Sequence, residues 1–311
     1  MKVFINGGAG TTGLQIGDRL AGRQSQSKGG IELLTLPEDL RKSAKAAAEL
    51  ANTADAVFLC LPDDAATEAA SLVTNPNTVI IDASTAHRVC LGWTYGFPEL
   101  SAEQRDRIKK SKRISVPGCY ASGFIALISP LVHAKLIPNE YPVTATGISG
   151  YSGAGKKGIA EYESAGRDSA LSSARLYALS QNHKHIPEMQ YHSKLAYEPM
   201  FQPVIDDFYS GMILTVPIVA DALPKKLTRR DFYNAYKAHY ESVTDSRVRI
   251  VSLDDAEKVD FLPANALADS DDMEIFVFGN DRRIMLAARF DNLGKGAAGA
   301  ALQCFDIVFG K

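Results

Sequence analysis

What the chain lacks narrows it first. Across its 311 residues no apolar stretch reaches the length of about 18 that a membrane span needs. Its start, Val3-Phe4-Ile5-Asn6-Gly7, reads as a strand and a turn, with no basic n-region or cleavage site. Neither sign of charge dominates: 34 basic and 36 acidic residues leave a net charge of -2, and the charges are interspersed. Nothing in that balance points to nucleic acid or an anionic membrane surface. Four cysteines, Cys60, Cys90, Cys119 and Cys304, lie far apart and form no C-x-x-C pair. That argues against a disulfide framework or a cysteine-rich zinc site and suits a reducing cytoplasm. There are no internal repeats and no low-complexity linker. The expectation is a soluble cytoplasmic protein that binds neither nucleic acid nor membrane.

What is present begins with core material. Hydrophobic residues make up 46% of the chain, and the length suggests two domains. Lys2–Asn6 reads as a buried strand, followed by Gly7-Gly8-Ala9-Gly10-Thr11-Thr12-Gly13 and then Leu14, Ile16 and Leu20 at helical spacing. Gly8, Gly10 and Gly13 satisfy G-x-G-x-x-G, and Gly7, Gly10 and Gly13 equally satisfy G-x-x-G-x-x-G. After a strand and before a helix, such glycines permit a tight turn and bring backbone N–H groups close to a pyrophosphate. A second strand over 31–36 ends in Leu36-Pro37-Glu38-Asp39-Leu40-Arg41-Lys42. Glu38 or Asp39 would serve the ribose of NAD, whereas Arg41, Lys42 or Arg23 would pair the 2′-phosphate of NADP, and these residues leave the choice open.

Next come an alanine-rich helix, Ala44–Ala51, an apolar strand over 56–61, a helix over 65–73 and a strand over 78–81. This alternation predicts βαβ units in an α/β fold, a Rossmann-type doubly wound parallel sheet. Ligands of such sheets sit beyond the carboxyl ends of the strands. That places Pro62, Asp63, Ser84 and Arg88 where a cofactor and an anionic substrate would pass, with Arg88 a fork for a carboxylate or phosphate.

A strand over 113–116 delivers the chain to Val116-Pro117-Gly118-Cys119-Tyr120-Ala121-Ser122-Gly123, after which an apolar helix begins. A lone thiol at a helix N-terminus sits where the thiolate is favoured, and the thiolate is the form that attacks carbonyl carbons. Glycine-rich residues 149–158 follow a strand over 142–148. They are not a Walker A motif, because Lys157 is followed by Gly158, but they suit a loop facing an anion. Tyr177 then leads to His183-Lys184-His185-Ile186-Pro187-Glu188. Pro187 predicts a helix starting just after His185, with Glu188 reaching back to orient its imidazole as a general acid/base. H-x-H without further ligands falls short of a metal site. Strands over 210–219, 247–251, 272–279 and 282–291, with one helix over 228–240, predict a second α+β domain, mostly antiparallel, of the kind that packs against another subunit. Residues 291–299 then open a small-residue helix that returns to the first domain. The expected division is 1–118 with 294–311 for the dinucleotide-binding domain and 119–293 for catalysis and oligomerisation.

Together these segments resemble the N-acetyl-gamma-glutamyl-phosphate reductase family, in its short type 2 form. The resemblance rests on Gly118-Cys119-Tyr120-Ala121-Ser122, His183-Lys184-His185-Ile186-Pro187-Glu188, Tyr95-Gly96-Phe97-Pro98-Glu99-Leu100 and Asp291-Asn292-Leu293-Gly294-Lys295-Gly296-Ala297-Ala298-Gly299. Ser84-Thr85-Ala86-His87-Arg88 departs from the family's Ser-Ala-Asp-Phe-Arg but keeps the arginine. The resemblance implies a second domain of the semialdehyde dehydrogenase type. It also implies NADPH-dependent reduction of N-acetyl-L-glutamyl 5-phosphate to the 5-semialdehyde through a Cys119 thioester, in arginine biosynthesis. Cys119, His185, His183 and Glu188 become the catalytic set. Arg88, Ser149 and Tyr177 become substrate contacts. Gly7, Gly10, Thr11, Thr12, Gly13, Pro62, Ser84, Ser122 and Asn292 become cofactor contacts, in a homodimer or homotetramer. The nearest alternative is aspartate-semialdehyde dehydrogenase, against which the histidine segment and Tyr120 count.

Overall fold

The structure is a computed structural model that describes residues 1–24, 30–41 and 43–310. It divides into two compact units, one of Met1–Phe97, Asp106–Pro117 and Ala297–Lys311, the other of Pro98–Arg105 and Gly118–Gly296. Among the described residues no helix is long and apolar enough to cross a membrane.

The first unit is built on a wholly parallel six-stranded sheet. Its strands are β1 (Lys2–Asn6), β2 (Glu32–Leu34), β3 (Ala56–Leu59), β4 (Val79–Asp82), β5 (Thr94–Tyr95) and β6 (Arg113–Ser115), in the order β2-β1-β3-β4-β6-β5. Helices α1 (Thr11–Gln24), α2 (Ala44–Ala51), α3 (Asp63–Leu72) and α4 (Gln104–Lys110) alternate with them, α4 starting in the other unit. The run Ala-Val-Phe-Leu of β3 is continuously apolar because the sheet is covered on both faces. Phe58 and Ile81 point to one face, with Ile16 and Leu20 of α1. Val57 and Ile80 point to the other, with Ala47, Ala51 and Ala70 of α2 and α3. Between β1 and β3 the chain reverses its direction of travel across the sheet, which opens a crevice at their carboxyl ends.

The second unit carries a mixed seven-stranded sheet. In chain order its elements are α5 (Cys119–His133), β7 (Thr144–Gly150), α6 (Gly155–Tyr162), β8 (Arg175–Leu176), α7 (Ile186–Ser193), β9 (Met200–Asp206) and β10 (Met212–Val219). They continue with α8 (Arg229–Glu241), β11 (Val248–Ile250), α9 (Leu253–Ala256), β12 (Met273–Gly279) and β13 (Arg283–Phe290). The order is β11-β12-β13-β10-β7-β9-β8, with β7–β9 and β11–β12 parallel and the other pairs antiparallel. β9 contains Pro203, which weakens its sequence signal as a strand. The glycine-rich stretch expected as a loop to residue 158 turns helical at Gly155.

α5 crosses the sheet closely: a Cβ on Gly123 would lie 2.8 Å from the Phe290 ring. Pro130 inside α5 has no N–H to give the carbonyl of Ala126. The Tyr240 hydroxyl of α8 donates to that carbonyl at 2.6 Å, and Tyr236 donates to the next, Leu127, at 2.7 Å. After β13 a π-helical turn, Gly294–Ala298, leads into α10 (Gly299–Phe309), which belongs to the first unit. Phe305 packs on Phe58 with ring centroids 5.7 Å apart, and Asp306 pairs with Arg23 at 2.6 Å.

Candidate active site

The glycine turn of the first unit has a clear internal logic. Gly7 has φ +89°, and a Cβ there would lie 2.2 Å from the Cys60 carbonyl oxygen. A Cβ on Gly13 would lie 2.6 Å from Gly7 O, whereas those on Gly8 and Gly10 would meet their nearest atoms at 3.6 and 3.5 Å. Gly7 and Gly13 thus make the turn, and Gly10 keeps its outer side clear. Thr11, Thr12 and Gly13 open α1, where first-turn N–H groups lack helical partners and suit an anion. The cradle fits a pyrophosphate. Beside it lies a groove of about 350 Å³ walled by Asn6, Leu59, Leu61 and the alanines of α2, and also by Arg41 and Ser43. Glu38 and Asp39 stand on the exposed turn that Arg41 ends, outside that wall, and Arg41 Nη1 lies 3.9 Å from Glu38 Oε1. Arg23 is committed to Asp306, and Lys42 lies outside the described residues.

At the end of β4 the Asp82 carboxylate accepts from Ser84 N at 2.9 Å and from the Ser84 hydroxyl at 2.7 Å, and it meets His87 Nδ1 at 2.6 Å. The His87 ring is stacked on Trp93, centroids 3.9 Å apart. After Pro62, which precedes α3, Asp63 accepts from the backbone N–H and the hydroxyl of Thr85. Arg88 is buried, its Nε donating to Val116 O at 2.9 Å and its Nη2 to Ala83 O at 3.1 Å. It is no surface arginine. Cys60 is driven up to about 12, first by burial and then by Asp82, so its thiol stays protonated.

In the second unit Cys119 is the first residue of α5, after Gly118. The turn before it is braced from 70 residues away: Gly118 N donates to Glu188 Oε1 at 2.9 Å. Glu188 lies in the first turn of α7, and His185 immediately precedes that helix, with Pro187 at its start as the sequence predicts. The N-termini of α5 and α7 are therefore tied together. The expected service of Glu188 to His185 has this longer-range bond beside it.

His183 is fixed at both nitrogens. Its Nδ1 accepts from His185 N at 3.1 Å, which puts the proton of a neutral ring on Nε2, 3.4 Å from Tyr177 Oη. The two imidazoles meet edge to face, centroids 4.7 Å apart. Tyr120 lies beneath both, at 5.8 and 6.1 Å, and its hydroxyl donates to Val204 O at 3.0 Å. Gly147 makes room for it, since a Cβ there would be 2.4 Å from the ring. Burial drives the Tyr120 hydroxyl well above its usual range, with the charges of Tyr177 and Cys119 adding to the effect. Tyr177 is raised too, chiefly by burial. Both therefore stay protonated beside the cysteine.

The remaining site residues turn inward. Ser122 is wholly buried, and its hydroxyl donates back to Gly118 O at 3.1 Å, closing the turn that presents Cys119. Asn292 accepts from Gly211 N at 2.9 Å and donates to the Ser152 hydroxyl at 2.9 Å. The Ser149 hydroxyl donates to Gly150 O at 3.1 Å.

The sequence reading missed four features here. Tyr120 is the hub of the histidine cluster. Gln181 clasps β9 by donating to Phe201 O at 2.9 Å and accepting from Phe201 N at 3.0 Å. Ala178 and Gln181, at φ +49° and +56°, bend the segment between Tyr177 and His183, a strain with no sequence signal. The fourth is the buried partnership of Lys295 with Glu99, at 2.7 Å.

The comparisons with known proteins find two family models in the chain. The family model described as "Semialdehyde dehydrogenase, NAD binding domain" matches residues 2–108, and "Semialdehyde dehydrogenase, dimerisation domain" matches residues 119–292. Aspartate semialdehyde dehydrogenase II of Vibrio cholerae superposes with a TM-score of 0.70 at 14% identity, over 100% of this chain and 98% of that one. The aspartate semialdehyde dehydrogenase of Francisella tularensis does so at 0.71 and 15%, over 99% and 100%. The two family models place the chain in the semialdehyde dehydrogenase class, and the superpositions agree on the fold.

Sequence relatives are more specific. N-acetyl-gamma-glutamyl-phosphate reductase of Chelativorans sp. is 44% identical over 309 residues, 99% of this chain and 97% of that protein. Its counterpart in Rhizobium meliloti is 44% identical over 311 residues, 99% and 98%. N-acetyl-gamma-glutamyl-phosphate reductase 2 of Pseudomonas putida is 42% identical over 310 residues, 99% and 96%. The chain belongs to the N-acetyl-gamma-glutamyl-phosphate reductase family.

Proposed function

We propose that the protein reduces N-acetyl-L-glutamyl 5-phosphate to N-acetyl-L-glutamate 5-semialdehyde and releases phosphate, with Cys119 as nucleophile. The observation that carries this is the cysteine at the N-terminus of α5, after the braced Gly118 turn and before Tyr120, whose ring packs against both histidines. An acyl phosphate is activated for attack. The Cys119 thiolate adds to its carbonyl, and the C–O bond to phosphate breaks, leaving a thioester. When bound, the reduced nicotinamide supplies the hydride that this thioester carbon accepts. The resulting oxyanion gains stability from protonated donors nearby, and as it collapses the C–S bond breaks to give the aldehyde and the thiolate. A serine ester would accept hydride less readily and leave less well, so the chemistry favours a thiol.

His185 is assigned the proton transfer, because Glu188 follows it by three residues in the first turn of α7, where a carboxylate can orient its imidazole. His183 and Tyr177 then hold the substrate, and Glu188 fixes the geometry of the two helix N-termini. Arg88 and Ser149 are assigned to the anionic ends of the substrate. The turn Gly7, Gly10, Thr11, Thr12 and Gly13 is assigned to the cofactor pyrophosphate, with Pro62, Ser84, Ser122 and Asn292 shaping the rest of the cofactor's path. The cofactor is NADP rather than NAD: Arg41 and Ser43 stand in the groove beyond the glycine turn, and Glu38 and Asp39 do not. The protein works as a homo-oligomer in the cytoplasm, in keeping with its match to a dimerisation domain and its free cysteines.

The reverse reaction tests this reading. N-acetylglutamate semialdehyde, NADP⁺ and inorganic phosphate should give phosphate-dependent formation of reduced nicotinamide, with a lower rate on NAD⁺. Steady turnover that persists undiminished without phosphate, or a better rate with aspartate semialdehyde, would refute it.

A further inference from the structure

One charged pair takes no part in the chemistry above. Lys295 and Glu99 are each 1% exposed, and Lys295 Nζ lies 2.7 Å from Glu99 Oε2. Glu99 is held from two further directions: its Oε1 accepts from Arg247 N at 3.0 Å, and its carbonyl accepts from His239 Nε2 at 2.9 Å. Burying two charges is costly, and an apolar pair of similar volume often stabilises a fold as well or better. Stability alone therefore does not account for this pair.

What the pair holds is more telling. The next residue, Gly296, is pressed against the cysteine: a Cβ there would lie 2.8 Å from Cys119 Cβ and 3.2 Å from Cys119 Cα. On the other side of Lys295, a Cβ on Gly294 would lie 2.0 Å from Ser270 O. The segment is a π-turn, Gly294–Ala298, a geometry rare in helices and frequent at functional sites. Gly296 N donates to Asp291 O at 2.9 Å, and Asp291 accepts from Leu293 N and Asp269 N. The long side chain of Lys295 runs from this turn to Glu99, 196 residues away in the chain.

We infer that Lys295 and Glu99 are a positioning pair for Cys119: their buried ion pair pins the π-turn so that Gly296 backs the cysteine and fixes where its sulfur points. Neither side chain is assigned contact with substrate; they act through the backbone of residue 296. The inference rests on Cys119 being the nucleophile, but its test reads the thiol directly and does not need the substrate.

The experiment uses the full chain in a Cys90→Ser background, removing the exposed thiol. The rate at which iodoacetamide alkylates Cys119 is followed by peptide mass spectrometry from about pH 6 to about pH 9, a range that brackets ordinary thiol titration. The same protein carrying Lys295→Met with Glu99→Gln loses both charges and keeps an acceptor for Arg247 N. The expected result is an unfolding midpoint in urea near that of the parent, a displaced alkylation profile, and kcat lower by about 10²-fold with KM changed by less than about twofold, as misplacement of a reacting group produces. A lowered midpoint with parental alkylation and parental kcat in the folded protein would mean that the pair serves stability alone, and would overturn the inference. Parental values throughout would overturn it too. If the double variant does not fold, Lys295→Arg decides, keeping the charge in a different shape: a changed alkylation profile at an unchanged midpoint supports positioning, and a parental profile refutes it. Should the parent show no phosphate-dependent turnover while the alkylation profile still shifts, the proposed function fails and the positioning role stands.

Discussion

The molecule contains two glycine-rich turns that each follow a strand and open a helix, and they are built for opposite purposes. In 7–13 the outer glycines make the turn, while Gly8 and Gly10 would each accept a Cβ without a clash. The side chains are small, half-buried or exposed, and the first-turn N–H groups of α1 remain to be satisfied. In 291–299 Gly294 and Gly296 have no room for a side chain, and Asp291, Asn292 and Lys295 are all buried and bonded to protein. The first turn leaves space for a ligand; the second fills its space with protein and backs Cys119. A glycine pattern alone does not distinguish the two uses. The distinction lies in what a Cβ would strike.

The histidine pair gives the largest expected effect and tests the side of the comparison that carries chemistry. His185→Asn should lower kcat by ~10²–10⁴-fold, the usual cost of removing a good acid/base. His183→Asn should weigh more on KM, because that ring is tied to Tyr177 and to the backbone of His185. Steady-state kinetics of both variants side by side check this, and equal losses in kcat would reverse the assignment.

The two turns should then separate in opposite directions. Gly294→Ala should lower stability by about 1–3 kcal/mol, the range for overpacking a filled site, with cofactor binding to the folded protein little changed. Urea unfolding and nicotinamide titration report the two halves of that statement. Gly10→Ala should do the reverse: its Cβ meets only ordinary contacts, 3.5 Å from Gly7 O, so the fold should hold. The methyl group would stand where a pyrophosphate approaches, so the KM for NADPH should rise by about tenfold, a change of about 1.4 kcal/mol. If Gly10→Ala unfolds the protein, or Gly294→Ala weakens only the cofactor, the comparison is broken.

The smallest effect concerns His239, which steadies Glu99 from behind. Burial lowers its pKa below the ordinary 6.5, the bond to Glu99 O opposes this, and nearby His133 adds to the lowering. The unfolded chain therefore binds this proton more readily than the folded one, and stability falls as pH drops through and below 6.5. His239→Gln should flatten the loss of urea midpoint between about pH 7.5 and about pH 5.5, a window around the ordinary histidine value. An equally steep loss in the variant would show that another group carries the acid sensitivity.

Legibility follows from how local each signal is. Lys2–Asn6 and Ala44–Ala51 are readable to the residue, because a buried strand and an alanine-rich helix carry their own patterns. β9 is not: Pro203 interrupts it, and its parallel partner β7 is distant in the chain. The helix at Gly155 is hidden by glycines. Residues Pro98–Arg105 sit with the second unit although the sequence division leaves them in the first, because Glu99 is bonded there to Lys295, Arg247 and His239.

The site shows the same limit. Cys119 at a helix start and Pro187 opening the next helix are local facts and were readable. Glu188 is not, since its nearness to His185 in sequence conceals a bond to Gly118. Ser122 and Asn292 are motif residues whose hydroxyl and amide bond within the fold. A motif gives the residues; the partners come from tertiary structure.

The central claim is that Cys119 carries the acyl group. The most direct measurement supplies N-acetylglutamate semialdehyde and NADP⁺ without phosphate, so that the thiohemiacetal is oxidised and the thioester has no acceptor but water. The account predicts a rapid burst approaching one equivalent of reduced nicotinamide per active chain and an N-acetylglutamyl adduct, found by peptide mass spectrometry on Cys119 and absent from Cys119→Ser. A burst with no adduct on that residue, or an undiminished burst in Cys119→Ser, would contradict it.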